Sequence, residues 1–261
     1  MIVLWTWIVL ALIIALNPID PVQGPQFVHV ALVFFVASPT VFGFVFARLA
    51  DGKEGVRELL QRACRWRVSP IWYAASLLLI PALLGLGVLL RAWLGTSLES
   101  LDLIGNLLFA VPIAMLAAVM EEFGWRGFLL PKLLERTTAL RAALLVGSVW
   151  ALWHAPINYL GLAKYGVQAI PIMLVLLLMP IVQTVIMVWI HSNGKQSMLL
   201  MVLTHFSITA GFIVFAIPAE TAGAELESNL VNVGVMLLAA LVIVLATGAR
   251  TMVRSRKLGR G

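Results

Sequence analysis

The chain has 261 residues, of which 62% are hydrophobic and only 11% charged, far from the roughly 25% charged residues of a soluble domain. Lipid is therefore its solvent, and its net charge of +6 has to be read against a membrane before nucleic acid is considered. The single cysteine, Cys64, excludes an intramolecular disulfide and a cysteine-based metal site; it reads as a reduced structural thiol.

Apolar runs that cross or nearly cross a bilayer, at about 20 residues each, fall at roughly 2 to 16, 27 to 47, 70 to 90, 104 to 125, 140 to 160, 169 to 190, 198 to 217 and 229 to 248. The first lacks a basic n-region and a clear small-x-small cleavage site, so it is read as a helix and not as a signal peptide. The expected fold is all-α: a polytopic integral membrane protein of about eight transmembrane helices. No internal repeat, low-complexity tract or Gly/Ser linker divides it, so residues 1–261 form one domain.

Segment 48–69 is the longest polar stretch. Val56, Leu59, Leu60 and Ala63 recur at helical spacing, with Arg57, Arg62 and Arg65 on other faces, the pattern of an amphipathic helix lying on the inner leaflet. All basic residues except Arg91 and Lys164 fall on one side of an eight-helix topology, and the positive-inside rule then places both termini in the cytoplasm of a multi-pass inner (plasma) membrane protein. The basic clusters are topology signals first and contacts for anionic membrane lipids second; no nucleic-acid partner is expected. Prolines at 112, 156, 171 and 180 fall within or at the edges of helices. Pro156 frees the carbonyl of Leu152, next to His154, as a kinked polar pocket requires.

Within this apolar background, Glu121 and Glu122 are adjacent and Arg126 follows one turn later. An ionisable group at membrane depth is expensive and marks a functional site by default. Glu122 and Arg126, four apart, share a helix face and can pair, whereas Glu121 points about 100° away. One carboxylate is thus held by the arginine while the other faces elsewhere, poised for general acid–base chemistry. His154 and His205 lie on two further apolar helices; Asn158, four after His154, can orient that ring or cap the helix. His29 and His191 lie near helix ends and are assigned no role. The set fits a hydrolytic site, a zinc site built from Glu121, His154 and His205 plus a water, a proton relay, or a charge pair that locks packing. No His-Glu-x-x-His run, Gly-x-Ser-x-Gly serine or intramembrane aspartate pair is present, which argues against site-2-type, rhomboid-type and aspartyl intramembrane proteases.

Three motifs occur in order, each on its own apolar helix: Glu121-Glu122-Phe-Gly-Trp-Arg126, Trp150-Ala-Leu-Trp-His154, and His205-Phe-Ser-Ile-Thr209. Together they resemble the CAAX-protease and bacteriocin-processing (CPBP, or Abi) family of intramembrane glutamate proteases, also called type II CAAX prenyl endopeptidases, over about residues 45 to 215. Trp150 stands where Phe is usual in that family, and Thr209 where Asn is usual. The resemblance implies an endopeptidase acting on membrane-associated peptide or protein substrates. It implies Glu121 as the base that activates a water, assisted by His154, with His205 and Thr209 stabilising the oxyanion and Glu122 with Arg126 in support. No cofactor is then expected, with zinc as the alternative. A catalytically silent scaffold or immunity-type membrane protein and a transporter are the readings from other classes.

Overall fold

A computed structural model describes residues 7–8 and 26–253. Its described residues are helical, with no strand among them: α1 (Gln26–Ala63), α2 (Pro70–Trp93), α3 (Leu103–Glu122), a π-helical segment (Phe123–Leu129), α4 (Leu130–Leu134), α5 (Ala139–Leu162), a 3-10 segment (Ala163–Gln168), α6 (Ala169–Asn193), α7 (Met198–Val214) and α8 (Ala222–Thr247). Among the described residues, five helical stretches are long and apolar enough to cross a membrane. One of them, Ala139–Asn193, has 55 residues, which at 1.5 Å per residue measures about 80 Å against a core of about 30 Å. It folds back on itself as α5 and α6, and α7 is a shorter apolar helix beside it. The expected segment at 2 to 16 lies outside the described residues apart from Trp7 and Ile8.

The exposed faces are apolar: Ile104, Leu108, Phe109 and Leu116 of α3 and Leu238, Val242 and Leu245 of α8 all lie on the outside. A soluble monomer does not present apolar patches of that extent, whereas a lipid-facing bundle must. The inward face of α3 is lined by Ala110, Ala114 and Ala118, which are fully buried, and the first two pack against Ala210 and Phe206 of α7. Small residues at four-residue spacing let two helices approach closely. Continued by one turn, the same stripe reaches Glu122, which carries its carboxylate toward α7.

Two departures from regular helix shape the molecule. At Gly52, φ is 67° and the chain turns between the apolar and the amphipathic parts of α1, a conformation that a residue with a Cβ adopts only with strain. After Glu122 the helix widens into a π turn, in which the Leu130 N–H reaches the Trp125 carbonyl. Gly124, Trp125, Arg126 and Gly127 are all buried there. A Cβ on Gly124 would lie 2.1 Å from the Pro39 carbonyl oxygen of α1, so glycine is what allows this contact.

The amphipathic part of α1 covers the π turn. Leu59 is buried against Gly127. Arg62, expected on a polar face, is instead 7% exposed; its Nη1 donates to the Gly127 carbonyl at 3.1 Å and its Nη2 pairs with Glu58 at 2.8 Å. The carbonyl is buried and needs a donor, and this outweighs the arginine's preference for water. The carbonyl of Leu152, freed by Pro156, accepts from the Trp7 indole at 2.9 Å.

Candidate active site

The end of α3 and the π turn present two neighbouring carboxylates to different partners. Glu121 is 3% exposed, and its Oε2 accepts from the Trp150 indole N–H at 2.9 Å and from that of Trp125 at 3.4 Å. Glu122 is fully buried; its Oε1 accepts from Arg126 Nη1 at 2.8 Å and lies 2.8 Å from His205 Nδ1. Arg126 also donates from Nη2 to Thr184 Oγ1 of α6 at 2.9 Å, and its guanidinium stacks over the Trp150 ring at 4.2 Å. Glu122 is the carboxylate tied to the arginine, and Glu121 faces elsewhere. A buried ion pair gains from further partners for its remaining donors. Thr184 and the Trp150 ring face partner Arg126, whereas its Nε and Glu122 Oε2 have no hydrogen-bond partner among the described residues.

Trp150 joins the two halves of the cluster. It binds Glu121 through its nitrogen and Arg126 through its ring face, and it meets the rings of His154 and His205 edge-on at 5.4 and 5.2 Å. His154 Nδ1 lies 3.1 Å from the Trp150 carbonyl one turn earlier. Acceptance by that carbonyl makes Nδ1 the protonated nitrogen and leaves Nε2 as a lone pair. The backbone, then, orients His154, and Asn158 instead lines the adjacent cavity. For His205, the Glu122 carboxylate fixes the ring through its contact with Nδ1.

A cavity of about 360 Å³ opens beside the cluster, lined by Trp150, His154, Asn158, His205 and Thr209 on one side and by Leu176, Met179 and Pro180 of α6 on another. It is mostly apolar with a few convergent polar groups, as binding sites tend to be. Both histidines and Thr209 face it, whereas Glu121 lies behind the Trp150 indole. The sequence-expected residues Glu121, Glu122, Arg126, His154, His205, Thr209 and Asn158 are thus gathered from α3, the π turn, α5 and α7. Trp125 and Thr184 were not anticipated: a tryptophan and a threonine in apolar helices carry no signal until their partners are known.

No group of three or more His, Cys, Asp or Glu side chains among the described residues is arranged to hold a metal ion. Glu121 Oε2 is engaged by two indole N–H groups, and donors aimed at an oxygen compete with a cation for its lone pairs. As arranged, the set Glu121, His154 and His205 does not form a first coordination shell.

A multi-pass helical bundle that buries two carboxylates, a guanidinium and an imidazole, with a second, half-buried imidazole beside an apolar cavity, belongs among the intramembrane-site proteins. Residues 103–211 match the family model described as type II CAAX prenyl endopeptidase Rce1-like, and all the site residues named above fall inside that span. CAAX prenyl protease 2 of Methanococcus maripaludis is 30% identical over 177 residues, which cover 64% of this chain and 63% of that protein. A segment of the chain is thus similar to the family that the three motifs resemble, and the matched region spans a little under two thirds of that curated relative's length.

Proposed function

We propose that this protein is an intramembrane endopeptidase that hydrolyses peptide bonds of membrane-associated substrates at the cavity beside Glu121, His154 and His205. The observation that carries the reading is the pair of backbone- or carboxylate-oriented histidines facing one cavity, with a second carboxylate held in reserve behind Trp150. Glu121 takes a proton from a water whose oxygen attacks the scissile carbonyl carbon, and the lone pair on His154 Nε2 holds that water's second hydrogen. The electron pair of the carbonyl moves onto its oxygen, which His205 Nε2–H and the Thr209 hydroxyl stabilise. Collapse of this intermediate breaks the C–N bond, and the proton held by Glu121 passes to the leaving amine. Each buried donor aimed at the developing charge contributes about 3 kcal/mol. Glu122 holds the His205 ring for this donation through its contact with Nδ1.

In this scheme the Trp150 indole yields its hydrogen bond to Glu121 when water enters. A second assignment is favoured by the 2.8 Å contact of Glu122 with His205: His205, oriented by a carboxylate, would itself be the base, with Glu121 electrostatic. The topology that accompanies either assignment has about eight spans, both termini in the cytoplasm and the chain in the plasma membrane. Either assignment uses no metal. The relative's printed name is the reason to try prenylated C-terminal peptides first.

The deciding experiment is cleavage of a prenylated reporter peptide by protein reconstituted in liposomes. Glu121→Gln is expected to reduce kcat by at least about a hundredfold with unchanged thermal stability; retention of most activity moves the base to His205. Activity in excess chelator is expected to match the untreated enzyme, and a loss restored by added zinc overturns the metal-free reading. If peptides, membranes and a proteome comparison of wild type against Glu121→Ala show no cleavage product, the protein is a silent scaffold.

A further inference from the structure

A second cavity, of about 350 Å³, lies where α2 and α7 end and α8 begins. Phe212 is in the wall of both cavities. Its polar lining is Arg91, Lys164, Glu225, Ser228, Asn229 and Asn232. Arg91 and Lys164 are the two basic residues that the charge distribution left apart from all the others, and both line this one cavity.

Arg91 is only 4% exposed, and its Nε has no hydrogen-bond partner among the described residues. No carboxylate among them lies within ion-pair distance of it. Glu225, the carboxylate in the wall, is engaged instead by Asn229 Nδ2 at 2.9 Å. It also sits in the first turn of α8, where a helix end favours negative charge. A buried guanidinium without a countercharge is unfavourable unless a ligand supplies one. Asn232 is brought to the cavity by a close approach of α8 to α2: a Cβ on Gly87 would lie 2.6 Å from Asn232 Oδ1.

We propose that this cavity binds a phosphate group, with Arg91 as the forked donor, Lys164 as a second cation at the mouth, and Ser228 and Asn232 as neutral donors. A guanidinium fork matches two phosphate oxygens, and an ammonium adds charge without fixed geometry. Because helix ends line the cavity, it lies at the depth of lipid headgroups, so the phosphate is that of a phospholipid or a soluble phosphate reaching the same donors. The site is independent of the peptidase reading and stands whether or not the protein cleaves peptides.

The test uses the full chain, delipidated in a neutral detergent, with thermal unfolding followed against dioctanoyl phosphatidylglycerol, dioctanoyl glycerol, inorganic phosphate and sodium chloride at matched ionic strength. Saturable stabilisation by phosphatidylglycerol but not by dioctanoyl glycerol or chloride is expected. It should be lost in Arg91→Gln and need about tenfold more lipid in Lys164→Ala. The same Arg91-dependent effect with inorganic phosphate identifies a soluble phosphate as the ligand, and its absence identifies the lipid headgroup. Equal stabilisation of wild type and Arg91→Gln, equal effects of phosphatidylglycerol and dioctanoyl glycerol, or no stabilisation at all overturns the proposal. Should Arg91→Gln fail to fold, an unchanged half-saturating concentration in both Arg91→Lys and Lys164→Ala overturns it equally.

Discussion

Glu121 and Glu122 are adjacent in sequence and both buried, yet their partners differ in kind. Glu122 is bound by an arginine and a histidine, and Glu121 by two indole N–H groups that carry no charge. Removing Arg126 leaves Glu122 buried without its countercharge. Arg126→Ala is expected to cost about 3 to 5 kcal/mol, and the double variant Glu122→Gln with Arg126→Met less than the sum of its parts; chemical unfolding in detergent reads both. Trp150→Phe keeps the ring over Arg126 but deletes the donor to Glu121. It is expected to cost about 1.5 to 3 kcal/mol, the range for a hydrogen bond to a charged group, while leaving peptide cleavage within about tenfold of wild type. A larger loss of kcat at unchanged stability would make the indole part of the machinery and not a cap on the base. The pairing of Glu122 with Arg126 was legible from a spacing of four. The contact with His205 was not, because it joins residues on helices that only packing brings together.

At the scale of elements, two glycines set geometry that no other residue supplies at the same place. Gly124 touches the Pro39 carbonyl, and even one methyl there collides with backbone, which cannot move aside as a side chain can. Gly124→Ala is therefore expected to abolish folded, monodisperse protein in size-exclusion chromatography. A Cβ on Gly52 would meet only the end of the Arg48 side chain, at an ordinary contact distance of 3.8 Å, so what sets Gly52 apart is its φ. Gly52→Ala is expected to cost only about 1 to 2 kcal/mol, visible as a lowered midpoint in thermal unfolding with the protein still monodisperse. The amphipathic helix was expected from Val56, Leu59, Leu60 and Ala63; its Leu59 is buried, whereas its Leu60 stays exposed. Its seating on the π turn was not readable, since the carbonyl that Arg62 binds is exposed only by a change of helical register. The π turn itself has no sequence signature: Phe123–Leu129 reads as a continuation of an apolar helix.

For the whole molecule, the exposed lone thiol of Cys64 is a native reporter of topology. With 48–69 on the cytoplasmic side, a membrane-impermeant maleimide is expected to label Cys64 in inside-out vesicles and not in intact spheroplasts; the reverse pattern inverts the proposed orientation. The same asymmetry of charge that predicts this result leaves Arg91 and Lys164 at the opposite end, where the structure gathers them around one cavity.

Composition alone settles that the chain lives in lipid, because 11% charge cannot solvate a surface of this size. The order of apolar runs gives helices, since helical hydrogen bonding is complete within each segment. Short spacings give the neighbours that one helix holds together, Glu122 with Arg126 and Trp150 with His154. The tertiary structure decides what stands across from them. Trp150 over Glu121, His205 on Glu122 and Thr184 on Arg126 are contacts between helices far apart in sequence, and their distances follow from alanine and glycine faces that set how closely the helices pack. It also decides that Glu121 lies behind an indole and not in the wall of the cavity, because the Trp150 that covers it comes from a helix that only packing brings there.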